Sequence, residues 1–434
     1  MSGSHPNLVL VSIDSLRGDH CGFLGDKREL TPTLDAFAAE GVAFENAVAP
    51  GPQTFSSMPA IFTGKSRSPT TLENYPQDSH WERRLAGIDD HLRRYASLPE
   101  RLRERGYDTA GVTPNPWTSS ASGFDRGFNQ FVDFSEQGSK GKIGAVAKRI
   151  PGIDTDSRPV ELVLNMVSGS EFFAQWETLY GEIQRVREQL SEPYFLWVFI
   201  LDTHFPFITS RAHRQEQSLF EMYYSAYRSS EPMRGNDDGM ASHARKSLER
   251  SYRDTVRASD AFLKRLQRDF AEDDPTIIVH SDHGESFGEH GNYGHHHRQV
   301  YDENIHVPYV VYNAGVSDTI ETPISLRTVY DTVLTIAQNG TFDPTASTEP
   351  YAIATSECGR NRTVRGSRFK YLEHGDESIL FDIKSDPDEQ QDLSAVRREL
   401  SQTLERQLAR LDRHTVETDR LHQATKVLST LKQV

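Results

Sequence analysis

The stretch Tyr194–Leu201, which reads YFLWVFIL, is an uninterrupted apolar run near the middle of the 434-residue chain. It is too short to cross a membrane as a helix, because a membrane-spanning helix needs about 20 apolar residues. A strand in a sheet that is covered on both faces is apolar at every position, whereas a half-exposed strand alternates with polar residues. The run therefore predicts a central strand of a sheet that is buried on both sides.

Strand and helix patterns alternate on either side of this run. Further strands are predicted at Asn7–Ile13, Val42–Val48, Asp108–Thr113, Thr276–Val279 and Val307–Tyr312. Helices are predicted from Thr31-Pro32 onward and at Met58–Thr63, Leu98–Glu104 and Ser251–Phe270. This alternation is typical of an α/β fold, in which helices connect the strands of a parallel sheet. We expect a large, mostly parallel central sheet flanked by helices.

The alternation ends near residue 345, which suggests a division of the chain. We expect residues 1–345 to form the α/β domain and residues 346–434 to form a smaller C-terminal subdomain. Two polar, charged segments, at about 137–189 and 215–249, are interpreted as insertions that decorate the sheet. In the subdomain we expect short strands and a charged helix, at Thr363–Arg365, Phe369–Leu372 and Ala395–Leu411.

Composition and charge exclude some classes of partner. The formal net charge is −15, which argues against binding to nucleic acid or to anionic lipid. No stretch is long and apolar enough for a membrane helix, so a membrane is not an expected partner either. The sequence gives no indication of the oligomeric state.

The cysteines and the N-terminus bear on the compartment. Only two cysteines are present, Cys21 and Cys358, and they form no disulfide framework or zinc motif. We expect both thiols to be buried in a reducing cytoplasm. The predicted strand that begins at Leu8 leaves no room for a signal peptide before it. We therefore expect a cytoplasmic protein.

Acidic residues and a histidine follow two predicted strands directly. Asp14 follows the first strand, and Asp282-His283 lies just beyond the strand that ends near His280. Ligands of open α/β sheets bind at the carboxyl ends of the strands, where these side chains would meet. Carboxylates and an imidazole together suit a divalent metal. Taken singly, Asp14 could equally cap a helix, and Asp282-His283 could form a turn.

The segment around Asp282 is unusually rich in groups that bind metals. The string Ser281–Gly291 reads SDHGESFGEHG and holds three acids and two histidines between glycines. Glycines allow tight turns, so several of these side chains can converge on one point. A loop with a purely structural role seldom needs so many ligand-type side chains. We interpret the string as part of a metal or catalytic site.

With these residues in view, the chain resembles the sulfatases of the alkaline-phosphatase superfamily. The opening motif Asp14–His20, followed by Thr31–Asp35, is similar to the start of sulfatases. The string Ser281–Gly291 is similar to the second metal-binding segment of the family. Further matching pieces follow in the family's order: Tyr301-Asp302-Glu303, Val307-Pro308, Val364-Arg365, Lys370-Tyr371, Leu380-Phe381-Asp382 and Asp386-Pro387. The resemblance extends from residue 7 to about residue 395.

The resemblance implies a role for each matching residue. One divalent metal, calcium, manganese or zinc, would be held by Asp14, Asp282 and His283 together with Thr54. Thr54 would also be the nucleophile, because it stands where the family places that residue. The other implied catalytic residues are His204 and His296, and the implied substrate contacts are Asn115, His295 and Arg17. Alternatively, His204 could be a core histidine, Asn115 a loop asparagine, and His295–His297 a solvated loop.

The sequence departs from the main sulfatase pattern at the nucleophile. Most sulfatases convert a Cys or Ser into formylglycine within Cys/Ser-x-Pro-x-Arg, whereas this chain has Thr54-Phe55-Ser56-Ser57-Met58. The Cβ atom of Thr54 carries a methyl group, so oxidation cannot give an aldehyde. Thr54 would instead form a covalent ester that water must cleave, a route more natural for phosphoryl groups than for sulfate.

We therefore expect a metal-dependent hydrolase of sulfate or phosphate esters whose substrate is a small molecule or a glycan. One alternative is a transferase of the same superfamily that passes a phospho-group from Thr54 to an alcohol. Another is a catalytically silent member that binds an anionic ligand.

Overall fold

The apolar run at the middle of the chain forms a central strand of an eight-stranded sheet in the computed structural model. The structure describes residues 5–69, 72, 75–135, 174–235, 239–295 and 300–410. The strands of the large sheet are β1 (Leu8–Ile13), β2 (Val42–Phe44), β4 (Asp108–Thr113), β5 (Gln130–Asp133), β6 (Tyr194–Ile200), β7 (Thr276–Ser281), β8 (Tyr309–Tyr312) and β9 (Asp318–Ile320). Two short strands, β3 (Ala47–Val48) and β10 (Ile324–Ser325), pair separately.

The large sheet is mostly parallel, as predicted. Its strand order is β5-β4-β6-β1-β7-β8-β2-β9. All the pairings from β5 to β7 are parallel, and only those of β8 with β7 and with β2 are antiparallel. Every residue of β6 and of β1 is buried, which explains why their sequences contain no alternation.

Helices cover both faces of this sheet. They are α1 (Pro32–Glu40), α2 (Thr54–Thr63), α3 (His80–Arg94), α4 (Leu98–Glu104), α5 (Trp176–Gln189), α6 (Leu219–Ser229), α7 (Ser242–Asp269), α8 (Asp302–Ile305) and α9 (Val329–Asn339). Alternate residues of β1 and β6 point into two separate apolar cores: Leu8 and Trp197 belong to one, and Val9 and Leu196 to the other. No helix among the described residues is long and apolar enough to cross a membrane.

The C-terminal part of the chain forms a second, antiparallel sheet. Its strands are β11 (Tyr351–Thr355), β12 (Asn361–Gly366), β13 (Phe369–His374) and β14 (Glu377–Asp382), in that order. Helix α10, over residues 398–410, covers this sheet and contributes Leu408 to its small core. The expected fold, a large sheet with a small C-terminal unit, is confirmed.

Several local predictions need correction. Helix α2 begins at Thr54, four residues before the predicted start, and all of its residues are buried. The single strand expected at Val42–Val48 is two strands, β2 and β3, which belong to different sheets. Of the two cysteines expected to be buried, Cys21 is, but Cys358 is only half-buried.

The segments interpreted as insertions are partly integral to the fold. Residues 136–173 and 236–238 of these segments lie outside the described residues. The rest of the first segment is helix α5, whose buried face, including Leu179 and Ile183, packs into the core beside β6. The second segment contains α6 and the first turns of α7. The sequence analysis did not separate these amphipathic helices from surface insertions, because only one face of each helix is apolar.

Candidate active site

Four neighbouring strands of the large sheet end at the same edge. In spatial order they are β4, β6, β1 and β7, and they are parallel to one another. Just past their carboxyl ends lie the polar residues that the sequence singles out: Asn115 after β4, His204 after β6, Asp14 after β1, and Asp282 with His283 after β7. The sheet topology thus collects residues that are far apart in the chain.

Asp14, Asp282 and His283 form a compact, fully buried group. One ligand atom of each lies within 4.8 Å of the others. Nε2 of His283 is 3.8 Å from the Asp14 carboxylate and 3.5 Å from the Asp282 carboxylate. The Nδ1–H of His283 donates to the carbonyl of Gly284 at 2.8 Å, which leaves the lone pair on Nε2 directed at the two carboxylates.

Thr54 lies against this group at the start of helix α2. Its Oγ1 is 3.4 Å from Oδ2 of Asp14 and 3.3 Å from Nε2 of His283. Thr54 is only 4% exposed, and it is the first residue of a helix of ten. The free amide groups at such a helix end favour a bound anion.

Asn115 contacts both Asp14 and Thr54. Its amide nitrogen donates to Oδ2 of Asp14 at 2.8 Å and lies 3.5 Å from Oγ1 of Thr54. Its amide oxygen accepts a hydrogen bond from the backbone of Trp117 at 2.8 Å, which fixes the orientation of the amide. Asn115 therefore lies in the site, where it orients Asp14 and Thr54.

Three histidine rings line the same side of the site. The ring of His295 lies between those of His204 and His283, with centroid distances of 5.1 and 4.7 Å. Nδ1 of His295 is 3.2 Å from the buried carboxylate of Glu285. Burial lowers the pKa of His295, but the Glu285 carboxylate outweighs this and raises the pKa to about 9. Burial and the nearby His295 lower the pKa of His283 to about 3. His283 is therefore neutral, and His295 carries the positive charge.

The two buried carboxylates leave an electrostatic imbalance that a cation would relieve. Burial and the neighbouring Asp14 raise the pKa of Asp282 well above its usual range. Oδ2 of Asp282 is buried and has no hydrogen-bond partner among the residues that the structure describes. Two carboxylates, an imidazole and a hydroxyl around one point form a donor set that fits a divalent metal.

The loop that carries Asp282 and His283 is held by helix α8. The backbone amides of Gly284 and Glu285 donate to carbonyls of α8, at 2.8 and 2.9 Å. The hydroxyl of Ser286 donates to the side chain of Asn304 at 2.7 Å. The loop therefore takes its shape from α8.

Helix α8 is in turn anchored to the C-terminal sheet by buried ion pairs. The carboxylate of Asp302 lies 2.9 Å from Arg365 and 2.9 Å from Lys370. The ammonium of Lys370 is fully buried and also lies 2.7 Å from Glu389. The C-terminal sheet thus supports the Ser281–Gly291 loop through α8.

The guanidinium of Arg17 pairs with acidic side chains on two neighbouring segments. Nε and Nη2 donate to the carboxylate of Asp19, and Nη1 donates to the side chain of Glu289 and to the carbonyl of Glu285. Arg17 is buried, and the Ser281–Gly291 loop is tied to the Asp14–His20 turn through it. These contacts give Arg17 a structural role, and its predicted contact with substrate stays a prediction.

Three other residues of the site were not predicted. Glu285 faces His295, Ser15 donates to Oδ1 of Asp14 at 2.7 Å, and the hydroxyl of Thr203 donates to the carbonyl of Asp14. Glu285 stands in the acid-rich string, but a string cannot tell which of its acids points inward. His296 lies outside the described residues, so its catalytic role stays a prediction.

Comparison with known proteins decides the family. A model of the sulfatase family, described as "Sulfatase", matches residues 6–339. The chain belongs to the sulfatase family. At the level of that family, the prediction of an ester hydrolase of the sulfatase type is confirmed.

Individual relatives of this sulfatase-family protein are distant. A sulfatase of Formosa agariphila is 22% identical, over 88% of this chain and 82% of its own length. Human iduronate 2-sulfatase is 24% identical over 71% of this chain, and the match spans 60% of the human protein. Among solved structures, the phosphonate monoester hydrolase of Agrobacterium radiobacter is similar with a TM-score of 0.62 at 18% identity, over 94% of this chain and 96% of that one. The structural similarity establishes the shared fold.

Proposed function

We propose that the protein is a metal-dependent hydrolase of sulfate or phosphate esters, with Thr54 as the nucleophile. The observation that carries the proposal is the position of the Thr54 hydroxyl, within 3.4 Å of both Asp14 and His283 at a helix N-terminus. A hydroxyl buried against ligand-type side chains, next to amides that favour anions, is suited to attack an anionic ester.

The metal would be held by Asp14, Asp282, His283 and Thr54. When bound, it lowers the pKa of a ligated hydroxyl and neutralises charge on the group being transferred. Manganese or zinc accepts an imidazole ligand more readily than calcium, which prefers oxygen ligands. The imidazole of His283 therefore favours manganese or zinc.

The other side chains would bind the ester and move protons. The positive charge of His295, next to Glu285, would stabilise oxygens of the sulfate or phosphate group. Nδ1–H of His204 donates to the carbonyl of Phe205 at 2.7 Å, so Nε2 is the atom that can pass a proton to the leaving oxygen. Attack by Thr54 would form a covalent ester and release the alcohol, and water would then cleave that ester.

Two observations point to different scissile groups. The family and relatives such as human iduronate 2-sulfatase favour sulfate esters. Thr54 favours phosphate esters, because a threonyl ester lacks the aldehyde route of formylglycine and a displacement through a covalent ester suits phosphoryl transfer. We therefore rank phosphate mono- or diesters first and sulfate esters second.

A side-by-side assay tests the proposal. Protein stripped of metal with a chelator is reloaded with calcium, manganese or zinc, and each form is given 4-nitrophenyl sulfate, 4-nitrophenyl phosphate and bis-4-nitrophenyl phosphate. We expect release of nitrophenol in water with manganese or zinc and fastest with a phosphate ester. Failure to hydrolyse any of the three, in protein fully loaded with metal, would favour a silent anion-binding member.

The same assay separates a hydrolase from a transferase. A phospho-group transferase needs an acceptor alcohol, so its turnover would appear only when one, such as glycerol, is added. Turnover in buffer alone supports hydrolysis.

A further inference from the structure

Three aromatic side chains lie in a row beside the nucleophile. The ring of Phe55, the residue after Thr54, packs edge-on against Trp117 with a centroid distance of 5.2 Å. The ring of Trp117 lies 4.1 Å from that of Trp81, on helix α3. The row therefore leads outward from the start of α2 and ends at Trp81.

The outer end of this row is exposed. Phe55 is 5% exposed, whereas Trp81 is 46% exposed, and it is one of the few large apolar side chains that reach the surface among the described residues. An exposed indole that already packs against a neighbouring ring loses little further freedom when a flat partner stacks on it. Trp81 is therefore accessible for stacking at the outer end of the row.

The inner rings are fixed by contacts on several sides. The backbone of Trp117 donates to Asn115, which itself contacts Thr54. The guanidinium of Arg84 lies over the ring of Phe55, 4.6 Å from its centroid. Two hydrogen bonds of 2.8 and 2.7 Å join Arg84 to Glu357, just beyond β11 of the C-terminal sheet. The two inner rings, Phe55 and Trp117, are therefore held in place by their neighbours.

A helix irregularity fixes Phe55 further. Pro59 lies inside α2 and has no amide hydrogen to donate to the carbonyl of Phe55, four residues earlier. Nη1 of Arg67 donates to that carbonyl instead, at 2.7 Å. The carbonyl left unpaired by Pro59 is thus satisfied, and the backbone next to Thr54 is held from outside the helix.

We propose that Trp81 and Trp117 form a stacking subsite for a ring in the leaving group of the ester. The ring is either an aryl group or the apolar face of a sugar, since both stack on indole. The assignment rests on the proposed function, because it takes Thr54 as the point of attack.

Kinetics with paired esters test the subsite. The assay uses three sulfate or phosphate esters, of whichever acid the enzyme hydrolyses: a phenyl, a glucosyl and an ethyl ester. Their kinetics are compared in the wild type, Trp81→Ala and Trp81→Phe. For Trp81→Ala we expect KM to rise about tenfold for the ring-bearing esters that use the subsite, equivalent to about 1.4 kcal/mol. KM for the ethyl ester should not change, and Trp81→Phe should retain most of the affinity. Which of the two ring esters responds identifies the leaving group as aryl or sugar.

A matched control and a contrary result complete this test. Tyr224→Ala removes an aromatic residue of similar exposure, 51%, from helix α6, and KM should stay at the wild-type value for every ester. The subsite is disproved if Trp81→Ala leaves KM unchanged for both ring esters, or raises it equally for the ethyl ester.

A binding experiment separates this proposal from the proposed function. Saturation-transfer NMR on Thr54→Ala protein, with phenol and methyl glucoside as probes, measures stacking without any hydrolysis. We expect saturation of the ring protons of at least one probe and its loss when Trp81→Ala is added. Without saturation of either probe there is no stacking subsite, whatever the enzyme hydrolyses. Saturation in the variant, together with no hydrolysis of any ester by the metal-loaded wild type, would retain the subsite and reject the proposed function.

Discussion

The hydroxyl oxygen of Thr54 lies 3.3 Å from Nε2 of His283, although 229 positions separate the two residues in the chain. The contact exists because β1 and β7 are neighbours in the sheet and the helix that begins at Thr54 points its first turn at their carboxyl ends. It joins the proposed nucleophile to a proposed metal ligand.

Removing the Thr54 hydroxyl should abolish turnover and leave the fold intact. A hydroxyl at a helix start contributes at most about 1–2 kcal/mol to stability, so Thr54→Ala should still fold, as circular dichroism can check. Ser57→Ala is the matched control, because Ser57 is buried in the same helix and its hydroxyl has no hydrogen-bond partner among the described residues. Near-normal rates in Thr54→Ala would show that another group is the nucleophile.

Asp282→Asn should lose the metal. Wild-type protein should melt at a higher temperature with manganese or zinc than with a chelator, because a ligand that binds only the folded state stabilises it. This increase should disappear in Asp282→Asn. Without metal the variant should be at least as stable as the wild type, since one of two adjacent buried carboxylates is neutralised. Full metal occupancy of the variant, measured by elemental analysis, would contradict the site.

Gly284→Ala should destabilise the Ser281–Gly291 loop. A Cβ atom at this position would lie 2.0 Å from the carbonyl oxygen of Glu303, so the loop or α8 would have to move. Such overpacking typically costs about 1–3 kcal/mol. Gly181→Ala is the control: it lies within α5, no atom is within 4 Å of the added Cβ, and alanine favours the helix by about 0.5–1 kcal/mol. Denaturant unfolding of both variants, which should shift in opposite directions, gives the measurement.

Lys370→Met should lower the stability of the protein and its affinity for metal together. The substitution leaves the half-buried Asp302 with one cationic partner fewer and removes the ammonium that pairs with the buried Glu389. Breaking a buried ion pair costs about 3–5 kcal/mol. Arg368→Met is the control, since Arg368 pairs with Asp382 at the surface and should contribute little. Equal unfolding midpoints for the two variants would mean that the buried cluster does not support α8.

The same cluster predicts loss of stability in acid. Burial alone would raise the pKa of Asp302, but Arg365 and Lys370 outweigh it and lower the pKa well below its usual range. The Asp302 carboxylate therefore stays charged at lower pH in the folded protein than in the unfolded chain. The resulting stability is present above pH of about 4 and is lost as the pH falls further. Urea unfolding between pH 6 and pH 3 should show a shallower decline in Lys370→Met; an identical decline would contradict this.

Much of the fold and the centre of the site could be predicted from the sequence. The bounds of β4 and α4 agree with the predictions, because fully buried strands and capped amphipathic helices have clear patterns. The start of α2 was missed because the buried segment before Met58 has no apolar periodicity. The pairing of Arg17 with Glu289 and of His295 with Glu285 could not be predicted either. It depends on which acids of the Ser281–Gly291 loop face these residues, and that is a tertiary property.

The ion pairs of Lys370 and Arg365 have a consequence for the synthesis of the protein. The described side chains of the candidate site, from Asp14 to His295, are synthesised before α8, whereas α8 acquires its cationic partners only with β12 and β13, and Lys370 acquires its second carboxylate only at Glu389. A nascent chain that ends before β12 has these side chains but lacks the ion pairs that anchor α8. The loop that carries Asp282 and His283 therefore gains this support only after the residues of the candidate site have themselves been synthesised.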